Sequence, residues 1–172
     1  FDYAGTRMDH VSGFEVIPNR LLQSHVSEKP LPGTISSLAF VNGYWVGAFD
    51  LHSSGGTAGS YLFVADRPDG ASLRLLSVCP SGNTVTSLSA KAGFLYAFTT
   101  TRSLQVFGWS PDSGIQLVRQ VAISQEGLES VIAGDRLVVR ASHDLFTYDL
   151  SVSTDPVLVR SVSYAASSLG YR

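Results

Sequence analysis

The strongest constraint on this chain is a set of four short extended segments that recurs along the sequence. In residues 84–121, four runs rich in β-branched and aromatic side chains are separated by Gly, Ser, Pro or Asp, as strands and turns are in proteins. The same four runs recur in residues 128–162 and, upstream, in residues 35–78. Each run predicts a β-strand, and each set of four predicts one structural unit.

The spacing between the copies indicates the kind of repeat. Leu104 and Leu145 are 41 residues apart, and so are Gly93 and Gly134. The upstream copy keeps nearly this period except for eight extra residues in one connection, residues 50–59, which is predicted to be a loop. A period of about 40–45 residues with four strands per unit is typical of a β-propeller.

The repeat predicts an all-β fold, a WD-repeat-like β-propeller with three complete four-stranded blades and partial blades at both ends. Because a blade buries its faces only against its neighbours, the second strand of every unit is expected to be covered on both faces. The chain is expected to be a fragment of a larger ring, with a small ring closed by its two ends as the alternative. The predicted units are outer strands of a preceding blade in residues 1–33, blades in residues 34–82, 83–127 and 128–163, and the first strand of a following blade in residues 164–172.

Composition limits the partners. Of 172 residues, 44% are apolar and 15% are charged, which favours a folded chain with a sizeable core. The net charge of −2 lacks the basic footprint of a nucleic-acid binder, so no direct nucleic-acid contact is predicted. No apolar run approaches the roughly 18 residues that span a bilayer, and no membrane contact is predicted. A single cysteine gives no disulfide framework and favours an intracellular protein.

The sequence predicts no catalytic, cofactor-binding or metal-binding residues, and hence no enzyme. The Gly/Ser-rich residues 53–60 lack the Lys-Ser/Thr ending of a phosphate-binding loop and are interpreted as a flexible hairpin loop. The four histidines and one cysteine show no short metal-binding spacing. Asp66 and Asp149 end equivalent third strands, where WD-type repeats carry Asp, and are predicted to cap turns.

Five residues are candidates for an interaction surface. Trp109 lies at a strand end beside Ser-Pro-Asp, and Trp is enriched at the energetic centres of interfaces. Asp50 and His52 lie in the predicted long loop, while Arg67 and Arg74 flank an outer hairpin. The plainer interpretation of these charges is a solvated face.

One part of the chain resembles a known family. Residues 44–48 (Tyr-Trp-Val-Gly-Ala) precede a long polar connection, residues 59–64 (Gly-Ser-Tyr-Leu-Phe-Val), residues 82–88 (Gly-Asn-Thr-Val-Thr-Ser-Leu) and residues 104–109 (Leu-Gln-Val-Phe-Gly-Trp). In this order they resemble the C-terminal propeller region shared by the large subunit of the damaged-DNA-binding complex, the largest cleavage-and-polyadenylation specificity factor subunit and the splicing factor 3b propeller subunit.

The resemblance, which covers residues 43–109, implies a non-enzymatic scaffold in a nuclear RNA-processing or ubiquitin-ligase assembly. Its partners would be other proteins, including the remaining blades or domains of a parent chain, and its location intracellular and nuclear. Two alternatives stay open. Few charges and many Ser and Thr also suit an extracellular or periplasmic bacterial surface propeller. Residues 50–59 could instead help to build an enzyme site at the central channel of the ring.

Overall fold

The computed structural model describes residues 15–17, 20–22, 33–53, 56–66 and 74–164. These residues form β-strands joined by turns, and none of them is helical. The described chain therefore has no helix that is long and apolar enough to cross a membrane. The predicted all-β class is confirmed.

Strands β3–β6, β7–β10 and β11–β14 form three four-stranded antiparallel sheets, in which strands pair in chain order. We call them sheet 1, sheet 2 and sheet 3. Strands β1 and β2 form a separate antiparallel pair. The three predicted sets of four strands are thus confirmed. The strands are β1 (Glu15–Ile17), β2 (Arg20–Leu22), β3 (Gly33–Val41), β4 (Tyr44–Ser53), β5 (Gly56–Asp66), β6 (Arg74–Pro80), β7 (Val85–Lys91), β8 (Phe94–Thr99), β9 (Ser103–Ser110), β10 (Gly114–Ala122), β11 (Gly127–Ala133), β12 (Arg136–Ala141), β13 (Asp144–Asp149) and β14 (Val157–Ser163).

Two-residue turns join the first and second strands of each sheet, but the turns are not all of one type. In sheets 1 and 2 both central residues have positive φ, Asn42 (52°) with Gly43 (84°) and Ala92 (48°) with Gly93 (81°), as a type I′ turn requires. In sheet 3 only the first central residue, Gly134, has positive φ (58°), which fits a type II′ turn.

The glycine occupies different positions in these equivalent two-residue turns. Phe94 and Arg136 are equivalent, because each begins the second strand directly after its turn, and they are 42 residues apart. Gly93 is the second central residue of its turn, whereas Gly134 is the first of its own. The predicted 41-residue equivalence of these two glycines is therefore wrong by one position.

Each sheet also carries a β-bulge in its first strand and another in its fourth strand. Bulges sharpen strand twist, and on an edge strand they hinder pairing with a foreign strand. The bulges recur at equivalent places in all three sheets, which shows that local backbone irregularities repeat together with the strand order. The extra residues are Ser36, Thr86 and Leu128 in the first strands and Leu76, Val118 and Val159 in the fourth strands.

The loop predicted at residues 50–59 is instead an extended hairpin. Strand β4 continues to Ser53 and β5 begins at Gly56, with Asp50 paired to Ser60 and Leu51 to Gly59. Pairing lets the backbone N–H and C=O groups of the insertion find partners in the ladder. The described residues of the insertion therefore lengthen two strands, and residues 54–55 lie outside the described part of the chain.

The sheets lie side by side in chain order. The first strands neighbour one another, β3 next to β7 and β7 next to β11, and the fourth strands β6 and β10 are also neighbours. Strand β2 lies beside β6. We call the side of a sheet that looks toward the next sheet in the chain its forward face.

Apolar side chains fill the space between successive sheets. A cluster between sheets 1 and 2 includes Val46 and Leu62 on the forward face of sheet 1 and Leu95 and Phe107 on sheet 2. A second cluster lies between sheets 2 and 3. Its members are Tyr96, Phe98, Leu104, Val106, Leu137, Val139, Ala141, Phe146, Tyr148 and Leu150. Each of these cores exists only because two sheets meet.

The forward face of sheet 3 is open. Val131 is 61% exposed and Leu145 is 39% exposed on this face, and Val138 between them is half-buried. Among the described residues, the second strand of sheet 3 is thus covered on one face only. Of residues 164–172, predicted to begin a following blade, only Tyr164 is described.

Candidate interaction surface

Asp50 is a buried residue rather than a surface one. Its side chain is 7% exposed, and its carboxylate accepts a hydrogen bond from Ser60 Oγ at 2.5 Å. Ser60 is the register partner of Asp50 in β5, so both side chains lie on the same face of sheet 1. Of the other predicted residues nearby, His52 falls in β4 with its side chain outside the described part, and Arg67 lies outside the described residues.

Arg74 is exposed at the start of β6 and is held by a carboxylate. Its Nε and Nη2 donate to the two carboxylate oxygens of Asp66 at 3.0 and 2.6 Å, and this hydrogen bonding raises the pKa of Arg74. An exposed pair of this kind contributes about 0–1 kcal/mol. Asp66 binds this arginine, and the turn that it is predicted to cap, in residues 67–73, lies outside the described residues.

Asp149 caps a turn as predicted. Its carboxylate accepts the backbone N–H of Ser151 at 2.7 Å, and Arg136 donates to it at 2.6 Å. The backbone hydrogen bond from Ser151 is the largest cause of the lowered pKa of Asp149. The carboxylate therefore fixes the β13–β14 connection.

Trp109 belongs mainly to the packing between sheets 1 and 2. Its ring meets Tyr44 edge-on, with centroids 4.6 Å apart and planes inclined by 65°, and it packs against the apolar cluster between the two sheets. The indole N–H is buried without a hydrogen-bond partner in the described part of the chain. The surface role predicted for Trp109 is therefore limited to the small part of the ring that stays exposed.

The predicted residues do not form one site. Asp50 lies opposite Ser60, whereas Arg74 lies opposite Asp66, six residues further along β5. At about 3.3 Å per strand residue, the two places are about 20 Å apart. Trp109 is in a different sheet.

A surface that the sequence analysis missed lies on the fourth strands of sheets 2 and 3. Five apolar side chains there are each between 49% and 53% exposed. Sheet surfaces usually alternate apolar and polar residues, so consecutive apolar residues on an outer strand were the available signal. We call these residues the rim patch: Leu117 and Val118 in β10, and Val157, Leu158 and Val159 in β14.

A salt bridge connects the two halves of the rim patch. Arg119 in β10 contacts Asp155, in the β13–β14 connection of sheet 3, with 2.9 Å between Nη2 and Oδ1. A charged pair therefore accompanies the exposed apolar side chains of the two fourth strands. Apolar surface bordered by polar groups is typical of protein-contact sites.

Polar contacts fix the position of sheet 3 against sheet 2. Ser130 in β11 shares hydrogen bonds of 2.7 Å with both Ser87 and Ser89 in β7. Lys91 donates to the carbonyl of Gly134 at 2.9 Å and also pairs with Asp135. These contacts join the first strand of sheet 2 to the first strand of sheet 3 and to the turn that follows it.

The described residues contain no group of three or more His, Cys, Asp or Glu side chains that could hold a metal ion. Cys79 is half-buried, and burial raises the pKa of its thiol, which disfavours the reactive thiolate.

No protein-family model matches the chain, and no curated protein is significantly similar to it. The resemblance of residues 43–109 to the propeller family named above therefore stays a prediction. The function is inferred from the packing of the sheets, the rim patch and the sequence pattern.

Proposed function

We propose that this chain is part of a WD-repeat-like β-propeller that acts as a non-enzymatic scaffold for protein–protein interaction in a multi-subunit assembly. Sheets 1, 2 and 3 are three complete blades, and β1–β2 and residues 164–172 belong to flanking blades. The observation that carries the functional proposal is the rim patch, a set of exposed apolar side chains on the fourth strands of sheets 2 and 3.

The propeller arrangement is supported by how the sheets meet. First strands lie next to first strands in succession, as they do where blades surround an axis. The apolar clusters lie between sheets, and the bulges recur at equivalent places. A repeat architecture in which each unit contacts mainly its neighbours has these features.

The scaffold role is supported by the exposed side chains of the rim patch. The rim patch offers aliphatic side chains that a partner can cover, and Arg119 and Asp155 add charges at its centre. Interfaces combine an apolar centre with polar groups that fix orientation. The partners we propose are other proteins, including further blades or domains of a parent chain.

The resemblance of residues 43–109 supports an intracellular, nuclear setting in an RNA-processing or ubiquitin-ligase assembly. Fractionation of cells that make the parent protein tests this part of the proposal, with the protein expected in the nuclear fraction. Recovery from the cell surface or the periplasm would contradict it and favour the extracellular alternative.

The rim patch is tested by a double substitution, Leu117→Asp with Leu158→Asp, which places a charge in each half of the patch. The matched control is Ser124→Asp with Ser142→Asp, because both serines are exposed in connections outside the patch. Quantitative affinity purification should show that partner proteins bound by the wild type and the control fall at least about tenfold with the double substitution, equivalent to about 1.4 kcal/mol. Equal melting temperatures establish that all three proteins are folded. Equal recovery of the same partners by all three would contradict the proposal.

A further inference from the structure

We propose that the forward face of sheet 2 carries a pocket that binds one aromatic side chain, of indole size, from a protein partner. The inference rests on the proposed function only in taking the ring from a protein. The pocket has a volume of about 270 Å³ and opens at the outer corner of the sheet. Gly108 forms its floor, Phe94 and Val118 its apolar walls, and Ser110, Ser113 and Gln116 its polar side.

The packing between sheets 1 and 2 shows what fits such a place. There the Trp109 ring packs on Tyr44. The residue equivalent to Trp109 in sheet 3 is Leu150, because both donate a backbone hydrogen bond of 2.8 Å to the preceding turn, Trp109 to Gly93 and Leu150 to Asp135. Between sheets 2 and 3, Leu150 therefore occupies the position that the Trp109 indole occupies between sheets 1 and 2.

Tyr44 and Phe94 are also equivalent, since each begins the second strand of its sheet directly after a type I′ turn. Phe94 packs against the cluster between sheets 2 and 3, to which Leu150 belongs. It nevertheless keeps part of its ring in the wall of the pocket. The interface between sheets 2 and 3 thus has an aromatic residue, Phe94, at the position of Tyr44, but no indole packs on it.

The pocket is also wide because the residue at its floor, Gly108, has no side chain. Asp66 and Asp149 end the third strands of sheets 1 and 3 with ion-paired carboxylates, whereas the equivalent residue of sheet 2 is Gly108. A Cβ atom on Gly108 would lie 3.3 Å from Val118 Cγ2 and 3.8 Å from Phe94 Cε1. Any side chain at this position would therefore occupy the pocket.

The dimensions and chemistry select the ligand. Sites for whole small molecules usually measure about 300–1,000 Å³, so 270 Å³ suits one ring system. The Phe94 ring offers stacked or edge-to-face contact. The oxygens of Ser113 and Gln116 in the wall can accept the indole N–H, and Ser113 is held by a 2.6 Å contact between its hydroxyl and that of Ser110.

The pocket is tested by NMR titration of the ¹⁵N-labelled protein with N-acetyl-tryptophanamide, compared with N-acetyl-leucinamide. We expect saturable shifts at the amides of Gly93, Gly108 and Ser113, with the leucine compound binding at least about threefold more weakly. Gly108→Asp, which installs the residue of the neighbouring sheets, should weaken binding about tenfold or more. Gly108→Ala should weaken it less, and Ser142→Asp, the control for added charge, should leave it unchanged.

Three results would overturn the inference: no saturable shift in the wild type, equal binding of the two compounds, or undiminished binding to a folded Gly108→Asp and a folded Gly108→Ala protein. The probe and the rim substitutions separate the two proposals. Loss of partners with the rim substitutions but no probe binding removes the pocket and leaves the scaffold. If the probe binds but no partner protein depends on the rim patch, the scaffold proposal is removed and the pocket is retained.

Discussion

The forward faces of sheets 2 and 3 are built on equivalent strands but have different side chains. On sheet 2, Phe98 pairs with Leu104 and both are fully buried. On sheet 3 the equivalent pair is Arg140 and Leu145, the arginine exposed and the leucine 39% exposed. The same backbone thus supports a closed apolar interface in one place and an open, partly charged surface in another.

The charges on the open face are paired within that face. Arg140 contacts Glu129 at 2.9 Å and Arg136 contacts Asp149 at 2.6 Å. Hydrogen bonding to Arg140 lowers the pKa of Glu129 and correspondingly raises that of the arginine. The comparison teaches that equivalent strands can carry either an apolar or a charged set of side chains at the facing positions.

Exchanging the equivalent residues should give the largest effect. Phe98→Arg buries an unpaired charge between sheets 2 and 3 and should lower the free energy of unfolding by about 4 kcal/mol or more. Arg140→Phe removes an exposed ion pair with Glu129 and a hydrogen bond with Tyr164 and should change the free energy of unfolding far less. Urea denaturation measures both. Similar losses from the two substitutions would break the comparison.

A smaller effect is expected at the first strands. Ser130→Ala leaves the buried hydroxyls of Ser87 and Ser89 without their shared partner and should cost about 1–2 kcal/mol. Ser142→Ala, in the exposed β12–β13 connection, is the control and should be neutral within about 0.5 kcal/mol. Urea denaturation measures both substitutions. A Ser130→Ala protein as stable as the wild type would argue against the close approach of β7 and β11.

The smallest effect concerns the open face and pH. The folded-state pKa of Glu129 lies below its ordinary value of 4.5, so its stabilising contribution is present above about that pH and is lost as pH falls through the lowered pKa. Glu129→Gln should therefore reduce the melting temperature slightly at pH 7, and the difference from wild type should shrink as the pH falls through the lowered pKa. A difference that stays constant as the pH is lowered would assign the effect to something other than this charge.

The sequence was sufficient for the strands and their grouping, because β-branched runs and turn residues recur three times. It was not sufficient for the open face. A constant 41-residue offset matches Arg140 with Thr99, whereas the strand pairing makes Arg140 equivalent to the core residue Phe98. The bulges and the hairpin of residues 50–59 depend on backbone pairing, which side-chain pattern does not specify. The pocket depends on differences at Gly108 and Leu150 that emerge only when equivalent interfaces are compared.

The most direct test uses three equivalent leucines, Leu62, Leu104 and Leu145, each replaced by alanine in turn. Leu62 and Leu104 are fully buried between sheets, whereas Leu145 lies on the open face. The free energy of unfolding should fall by about 2–5 kcal/mol for the first two substitutions and by less than about 1 kcal/mol for the third. Equal losses at all three positions, or a loss confined to Leu145→Ala, would contradict the packing of successive sheets described here.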